Sequence, residues 1–162
     1  MKTPGSVEVE VAGLTIDPFT NMPIVVLRDP AGNQQLPIWI GLVEASAIAT
    51  QLEKIEVARP MTHDLLKTLM EMTGTRLARV EVATLKDDTF FAELHLVIDG
   101  KEHVLDARPS DAIALALRAH APIFVSQSVL ETAQLVDSPR SPAKWAEILA
   151  KLSPEDFGKF KM

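Results

Sequence analysis

The sequence lacks cysteine and tyrosine, and aromatic residues make up only 5% of its 162 residues. The absence of cysteine excludes disulfide bonds, thiolate metal ligands and a cysteine nucleophile. Because aromatic side chains are scarce, a stacking platform for single-stranded nucleic acid is disfavoured. The longest run of apolar residues, 112–117, is too short to span a membrane, and no apolar leader is visible at the N-terminus. We therefore expect a soluble, cytoplasmic protein without membrane contact.

Basic residues are also in short supply, since 16 lysines and arginines stand against 22 acidic residues and give a net charge of −6. Residues 138–162 carry a net charge of +2, so the rest of the chain carries −8. Proteins that bind long nucleic acids without sequence preference use a basic face, which releases counterions from the phosphates. The acidic body argues against that mode of binding. A nucleic acid substrate would therefore be short or single-stranded.

Hydrophobic periodicity predicts an α+β fold. Strands are predicted over residues 7–16, 23–28, 34–40, 76–86, 89–98, 102–107 and 123–125. Helices are predicted from Leu42 to about Ile55, from Thr62 as the cap to Gly74 as the stop, over 110–120, and over 128–135. Since the strands come in runs, we expect a mostly antiparallel or mixed sheet packed with three to four helices.

Two of the predicted helices carry different apolar patterns. The helix over 110–120 is apolar on almost every side, which is typical of a central, buried helix. The helix that follows Thr62 has an apolar stripe of Leu65, Leu66, Leu69 and Met72. We expect this stripe to form the packed face of that helix.

We expect the chain to divide into a domain over residues 1–136 and a linker with a tail over 137–162. Pro139 and Pro142 mark the linker. Beyond them, Trp145, Ile148, Leu149 and Leu152 predict a short amphipathic C-terminal helix.

Two segments share one layout, 59–64 (RPMTHD) and 108–111 (RPSD). Each places an arginine before proline, then a hydroxyl side chain, then an aspartate in a first helical turn. One interpretation is helix capping with an Arg–Asp ion pair between neighbouring loops. The other is a phosphate site, in which Arg59, Arg108 and Ser110 bind the anion together with amides at the helix start.

Acidic side chains near helix starts or strand ends are candidate metal ligands: Glu44, Asp64, Asp106 and Asp111. Carboxylate oxygens suit Mg²⁺ or Mn²⁺, and such a metal could activate water for phosphodiester cleavage. Their spacing is not specific, because Glu44 also suits the dipole of its helix and Asp106 could pair with Arg108.

His63 is the histidine best placed for acid–base chemistry, because it adjoins Asp64 at a helix start. We nominate His63, Asp64 and Asp111 as catalytic residues. The alternative is that His63 is an exposed polar residue of the first turn. His95 alternates with Leu94 and Leu96, which predicts a solvent-facing strand residue.

Four ordered blocks carry a resemblance to a known family. They are 36–41 (LPIWIG) with Glu44-Ala45, 59–66 (RPMTHDLL), 89–92 (TFFA), and 106–118 (DARPSDAIALALR) with 121–123 (API). On these residues the chain resembles the bifunctional nuclease domain family over about residues 7–136. The residues nominated above rest on their chemistry and not on this resemblance.

The resemblance implies a compact α+β domain that self-associates, with nuclease activity of the kind attributed to plant members. We accordingly expect a homo-oligomer, in the simplest case a dimer, that cleaves RNA or DNA with the help of Mg²⁺ or Mn²⁺. The alternative is a non-catalytic oligomeric module that binds a small anion or a protein partner.

Overall fold

A computed structural model describes residues 5–31 and 33–135 of the chain. The strands of this part are β1 (Ser6–Ile16), β2 (Pro23–Arg28), β3 (Gln35–Trp39), β4 (Arg76–Lys86), β5 (Thr89–Ile98), β6 (Lys101–Ala107) and β7 (Ile123–Ser126). Its helices are α1 (Leu42–Leu52), α2 (Thr62–Thr73), α3 (Pro109–Ala119) and α4 (Gln127–Leu135). These are the predicted elements, with bounds that differ by a few residues.

The strands form one open sheet in the order β3-β2-β1-β7-β4-β5-β6. Neighbouring strands are antiparallel, except that β4 and β7 run parallel. The β4–β5 turn places both Asp87 and Asp88 at positive φ, 51° and 60°, which matches the right-handed twist of a tight hairpin. The predicted α+β fold with a mixed sheet is confirmed.

The main hydrophobic core lies between the sheet and helices α1, α3 and α4. Val80 and Leu94 of the sheet, Ile48 of α1 and Leu115 of α3 are each no more than 6% exposed. Helix α3 is buried along 112–116, as its apolar pattern predicts. Because α3 is the central helix, its first turn is held in a fixed position against the sheet.

Helix α2 does not pack as predicted. None of its residues is buried. The four residues of its apolar stripe are between 40% and 79% exposed: Leu65, Leu66, Leu69 and Met72. The expectation that the stripe is the packed face is therefore wrong for this chain taken by itself. Periodicity identifies an apolar stripe, but it does not identify what covers it.

The start of α2 also differs from the prediction. Met61, not Thr62, is the N-cap residue, and Thr62 is already helical. The backbone N–H of Met61 donates to Oδ2 of Asp64 at 2.9 Å, so the aspartate supplies the capping contact. The end of the helix agrees with the prediction, because Gly74 adopts the left-handed conformation with φ of 72°.

The predicted linker and the predicted helix around Trp145 lie outside the described residues. Within residues 5–31 and 33–135, no helix has the length and apolar character needed to cross a membrane.

Candidate functional site

The first turns of α2 and α3 meet at a histidine–aspartate pair. Nε2 of His63 lies 3.0 Å from Oδ1 of Asp111. The His63 side chain is 14% exposed and that of Asp111 37%, so the pair is partly shielded and still reaches solvent. A carboxylate in this position fixes the orientation of the imidazole.

Arg108 binds the same carboxylate from the other side. Its Nε donates to Oδ2 of Asp111 at 2.9 Å, and its Nη1 donates to Oε1 of Glu44 on α1 at 2.9 Å. Pro109 holds Arg108 in extended geometry (φ −70°, ψ 145°), as expected for a residue before proline. The Arg108 side chain is 64% exposed, so the guanidinium is accessible from solvent.

These contacts change the acidity of both partners. Burial alone would raise the pKa of Asp111, but hydrogen bonds from Arg108 and His63 outweigh it and hold that pKa below its usual value. Hydrogen bonds to Asp111 and Glu44 raise the pKa of Arg108. Asp111 is therefore a carboxylate, and Arg108 a cation, throughout the neutral range.

A second link between α2 and α3 lies one residue further along α2. Nε of Arg118 donates to Oδ1 of Asp64 at 2.8 Å, and its Nη1 donates to the carbonyl of Ala114 at 2.9 Å. The Arg118 side chain is only 3% exposed. Hydrogen bonds from the Met61 backbone and from Arg118 lower the pKa of Asp64. Asp64 thus serves as the counter-ion of a buried cation.

A cleft of about 270 Å³ opens beside Arg108. Its walls are the end of β3 and the start of α1 (residues 38–41 and Glu44), the start of β5 (residues 88–90) and the start of α3 (residues 108–110). Two helices begin at this cleft, and the positive ends of their dipoles favour an anion there. Trp39 and Phe90 line it as well.

A sequence model of the bifunctional nuclease domain matches residues 25–138 of this chain. That span includes every residue of the cleft and of the two links between α2 and α3. The chain belongs to the bifunctional nuclease domain family. The resemblance predicted from the four sequence blocks is confirmed.

Relatives of the chain differ in the fraction of their own length that aligns with it. An uncharacterised protein of Mycobacterium tuberculosis is 38% identical over an alignment of 162 positions. The alignment covers 93% of this chain and 97% of the relative. Bifunctional nuclease 2 of Arabidopsis thaliana is 31% identical over 107 residues, 64% of this chain and 32% of the relative. Bifunctional nuclease 1 of Oryza sativa subsp. indica is 28% identical over 109 residues, 65% and 33% respectively. The chain therefore spans about one third of these plant nucleases.

Six of the eight residues nominated from the sequence fall into three groups in this member of the bifunctional nuclease domain family. His63, Asp111, Arg108 and Glu44 form one connected network, as described above. Ser110 is 6% exposed and lines the cleft next to Arg108. Arg59 is exposed and makes no ion pair with any described residue.

The four nominated metal ligands do not converge in the described part of the domain. Glu44 and Asp111 each give an oxygen to Arg108, and Asp64 is engaged by Arg118. Asp106 lies on β6 directly opposite Glu93 of β5. A cation shared by these carboxylates would have to take the place of the Arg108 guanidinium.

A different group of possible ligands was not recognised in the sequence. One carboxylate oxygen each of Glu81 and Glu93 and a ring nitrogen of His95 lie within 4.8 Å of one another. Nε2 of His95 is 3.1 Å from Oε2 of Glu93. The His95 side chain is 21% exposed, so it reaches solvent but is partly buried by its neighbours. Only the strand register, which pairs Glu81 with Glu93 and Arg79 with His95, brings these residues together.

Arg79 completes this second polar group. Its Nη2 lies 3.4 Å from Oε2 of Glu81 and 3.5 Å from Nδ1 of His95, while its Nη1 is buried without a hydrogen-bond partner. Ser6 donates to the other oxygen of Glu81. The Arg79 guanidinium therefore offsets one of the two carboxylate charges of this group.

Proposed function

We propose that this protein hydrolyses phosphodiester bonds of RNA or DNA at the start of α3. The observation that supports this most is the shared carboxylate of Asp111, which contacts His63 with one oxygen and Arg108 with the other. A group that can move a proton and a group that can bind a phosphate are thereby fixed side by side. Membership of the bifunctional nuclease domain family supports the same reaction class.

The chemistry assigns a separate role to each residue. His63 transfers the proton, and Asp111 holds the imidazole in orientation. Arg108 and Ser110 bind the phosphate oxygens at the cleft. Arg59, exposed and unpaired within the described residues, supplies a further contact to the nucleic acid backbone. Asp64 acts on the site through α2, since its carboxylate is bound to Arg118.

The charge of the protein limits the substrate. The net charge of −6 repels long polyanions. We therefore assign short or single-stranded RNA or DNA as the substrate class.

A divalent cation, Mg²⁺ or Mn²⁺, belongs to this proposal as cofactor. When bound, it would activate water or neutralise charge on the phosphate. Three of the four nominated ligands, Glu44, Asp64 and Asp111, are engaged by Arg108 or Arg118, so a cation at the cleft would have to displace these arginines. The group of Glu81, Glu93 and His95 is the alternative ligand set, and a histidine ligand there suits Mn²⁺ better than Mg²⁺.

The test is cleavage of a fluorescently labelled single-stranded oligonucleotide by the purified full chain. The wild type should cleave it, and variants lacking His63 or Asp111 should not. Equal cleavage by wild type and variants would assign the activity to a contaminant and reject the proposal.

The second candidate is a non-catalytic oligomeric binding module, and one observation supports its oligomeric part. Helix α2 leaves its apolar stripe uncovered, with Leu69 at 57% and Met72 at 79% exposed. Exposed apolar stripes of this kind are typical of protein interfaces. In this alternative the Arg108 site binds a small anion without turnover, and saturable nucleotide binding without cleavage is the result that would support it.

A further inference from the structure

One carboxylate of the protein already binds the arginine of the cleft. Oε1 of Glu44 accepts the hydrogen bond from Nη1 of Arg108 at 2.9 Å. Its other oxygen lies over Gly41 at the start of α1, where an added Cβ would be only 2.1 Å away. Glu44 therefore sits between an arginine and a helix N-terminus, the same two features that bind phosphate in proteins.

The absence of a side chain at residue 41 makes room for this arrangement. Gly41 has φ of −73°, an ordinary value that any residue can adopt. The backbone conformation thus does not require glycine here, whereas the position of the Glu44 carboxylate does. Alanine at 41 would leave the helix start unchanged and push the carboxylate out.

The contact between Glu44 and Arg108 is also easy to break. The Arg108 side chain is 64% exposed, and that of Glu44 is 24% exposed. Ion pairs of such exposure are weak, because water and salt screen the charges. Asp111 continues to hold Arg108 in place through Nε when the Glu44 contact is lost.

We infer that Glu44 is an internal substitute for the substrate phosphate, which must displace it to reach Arg108. This inference rests on the proposed function, in which Arg108 binds the phosphate. It gives Glu44 a role opposite to that of a metal ligand. A metal ligand promotes binding of the substrate phosphate, whereas a competing anion weakens it.

Titration calorimetry with inorganic phosphate at low ionic strength tests the inference without requiring cleavage. Glu44→Gln should bind phosphate about two- to fivefold more tightly than the wild type, which corresponds to the loss of a weak competing ion pair. Gly41→Ala should tighten binding as well, although the charge of Glu44 is retained. Arg108→Gln should bind no phosphate.

Glu10→Gln is the matched control, because it removes a carboxylate paired with Arg28 on β1 and β2, outside the cleft lining. Its phosphate affinity should equal that of the wild type. Unchanged or weaker binding by Glu44→Gln, unchanged binding by Gly41→Ala, or no saturable binding by any of the proteins overturns the inference. Tighter phosphate binding by both variants in a protein that cleaves no oligonucleotide keeps the inference and rejects the nuclease proposal.

Discussion

His63 and Asp111 are 48 positions apart in the chain, yet 3.0 Å separates Nε2 of one from Oδ1 of the other. The next residue of α2, Asp64, binds Arg118 two helical turns further along α3. No α2 residue is fully buried, although Met70 packs against the core, and these two polar contacts link the first turn of α2 to α3. The geometry of the candidate site and the attachment of α2 therefore depend on neighbouring residues.

Replacement of His63 by alanine should lower the rate of oligonucleotide cleavage roughly 100-fold or more, since general acid–base catalysis contributes factors of that order. Asp111→Asn should cause a similar loss, because the amide can donate to Nε2 of His63 and so favour the wrong tautomer of the imidazole. Rates are measured with a labelled single-stranded substrate. His103→Ala, at an exposed histidine of β6, is the control and should retain the wild-type rate. Full activity in His63→Ala would remove the histidine from the mechanism.

Asp64→Ala should destabilise the fold by about 3–5 kcal/mol, because it leaves the Arg118 charge buried without its counter-ion. The free energy of unfolding is measured by urea titration. Glu71→Ala breaks the exposed pair with Lys67 on the same helix and should change stability by only about 0.5 kcal/mol. If the two variants were equally stable, Asp64 would not be required for the attachment of α2.

Stability should fall in acid in a way that depends on the two aspartates. Their pKa values in the folded protein lie below the ordinary value of 3.8, so the unfolded chain binds protons first as pH decreases. Their contribution is complete above about pH 5 and is lost as pH falls through the folded pKa values. The double variant Asp64→Asn/Asp111→Asn should therefore lose less stability between pH 6 and pH 3 than the wild type. Asp17, whose pKa is also lowered, is present in both proteins and does not affect the comparison. Identical acid dependence of the two proteins would contradict the assignment.

The sequence predicts the elements of this fold well, because the signals for them are local. The Asp99-Gly100 dipeptide, for example, takes the positive φ values of a hairpin turn, 51° and 75°, in the structure. The site required information of another kind. The sequence contains two segments with the same Arg-Pro layout and does not distinguish them. The packing of α3 on the sheet determines that Arg108 shares the Asp111 carboxylate with His63, while Arg59 remains exposed.

The residues that the sequence did not reveal share one property: their partners are distant in the chain. Arg118 follows an uninterrupted apolar run, and a cation at that position needs a partner when the run is buried. That partner, Asp64, is 54 residues away and belongs to another helix. Glu81, Glu93 and His95 meet through the register of β4 and β5, and a shift of one residue would place them on opposite faces. Hydrophobic patterns do not determine such contacts between distant segments.

Removal of divalent metal tests the cofactor. EDTA should abolish cleavage and Mn²⁺ should restore it. Since Glu44 and Asp111 are engaged by Arg108, while Glu81, Glu93 and His95 offer three ligand atoms together, we expect His95→Ala to weaken Mn²⁺ binding about tenfold. Mn²⁺ affinity is measured by equilibrium dialysis. Glu44→Gln should bind Mn²⁺ as the wild type does, and the reverse pattern would place the metal at the cleft.

The uncovered stripe of α2 predicts self-association. Leu65, Leu69 and Met72 are exposed by 57% or more, and water contact with these side chains is unfavourable for a free monomer. We expect the wild type to be a dimer in light scattering coupled to size-exclusion chromatography. Leu69→Glu should convert it to a monomer, because a second copy packed on α2 would bury an unpaired charge. Phe19→Glu is the matched control, since Phe19 is 78% exposed in the turn before β2, and this variant should stay dimeric. Both variants should keep the circular dichroism spectrum of the wild type, since neither changed side chain belongs to the buried core. A monomeric wild type, or a dimeric Leu69→Glu protein, would show that α2 is not the interface.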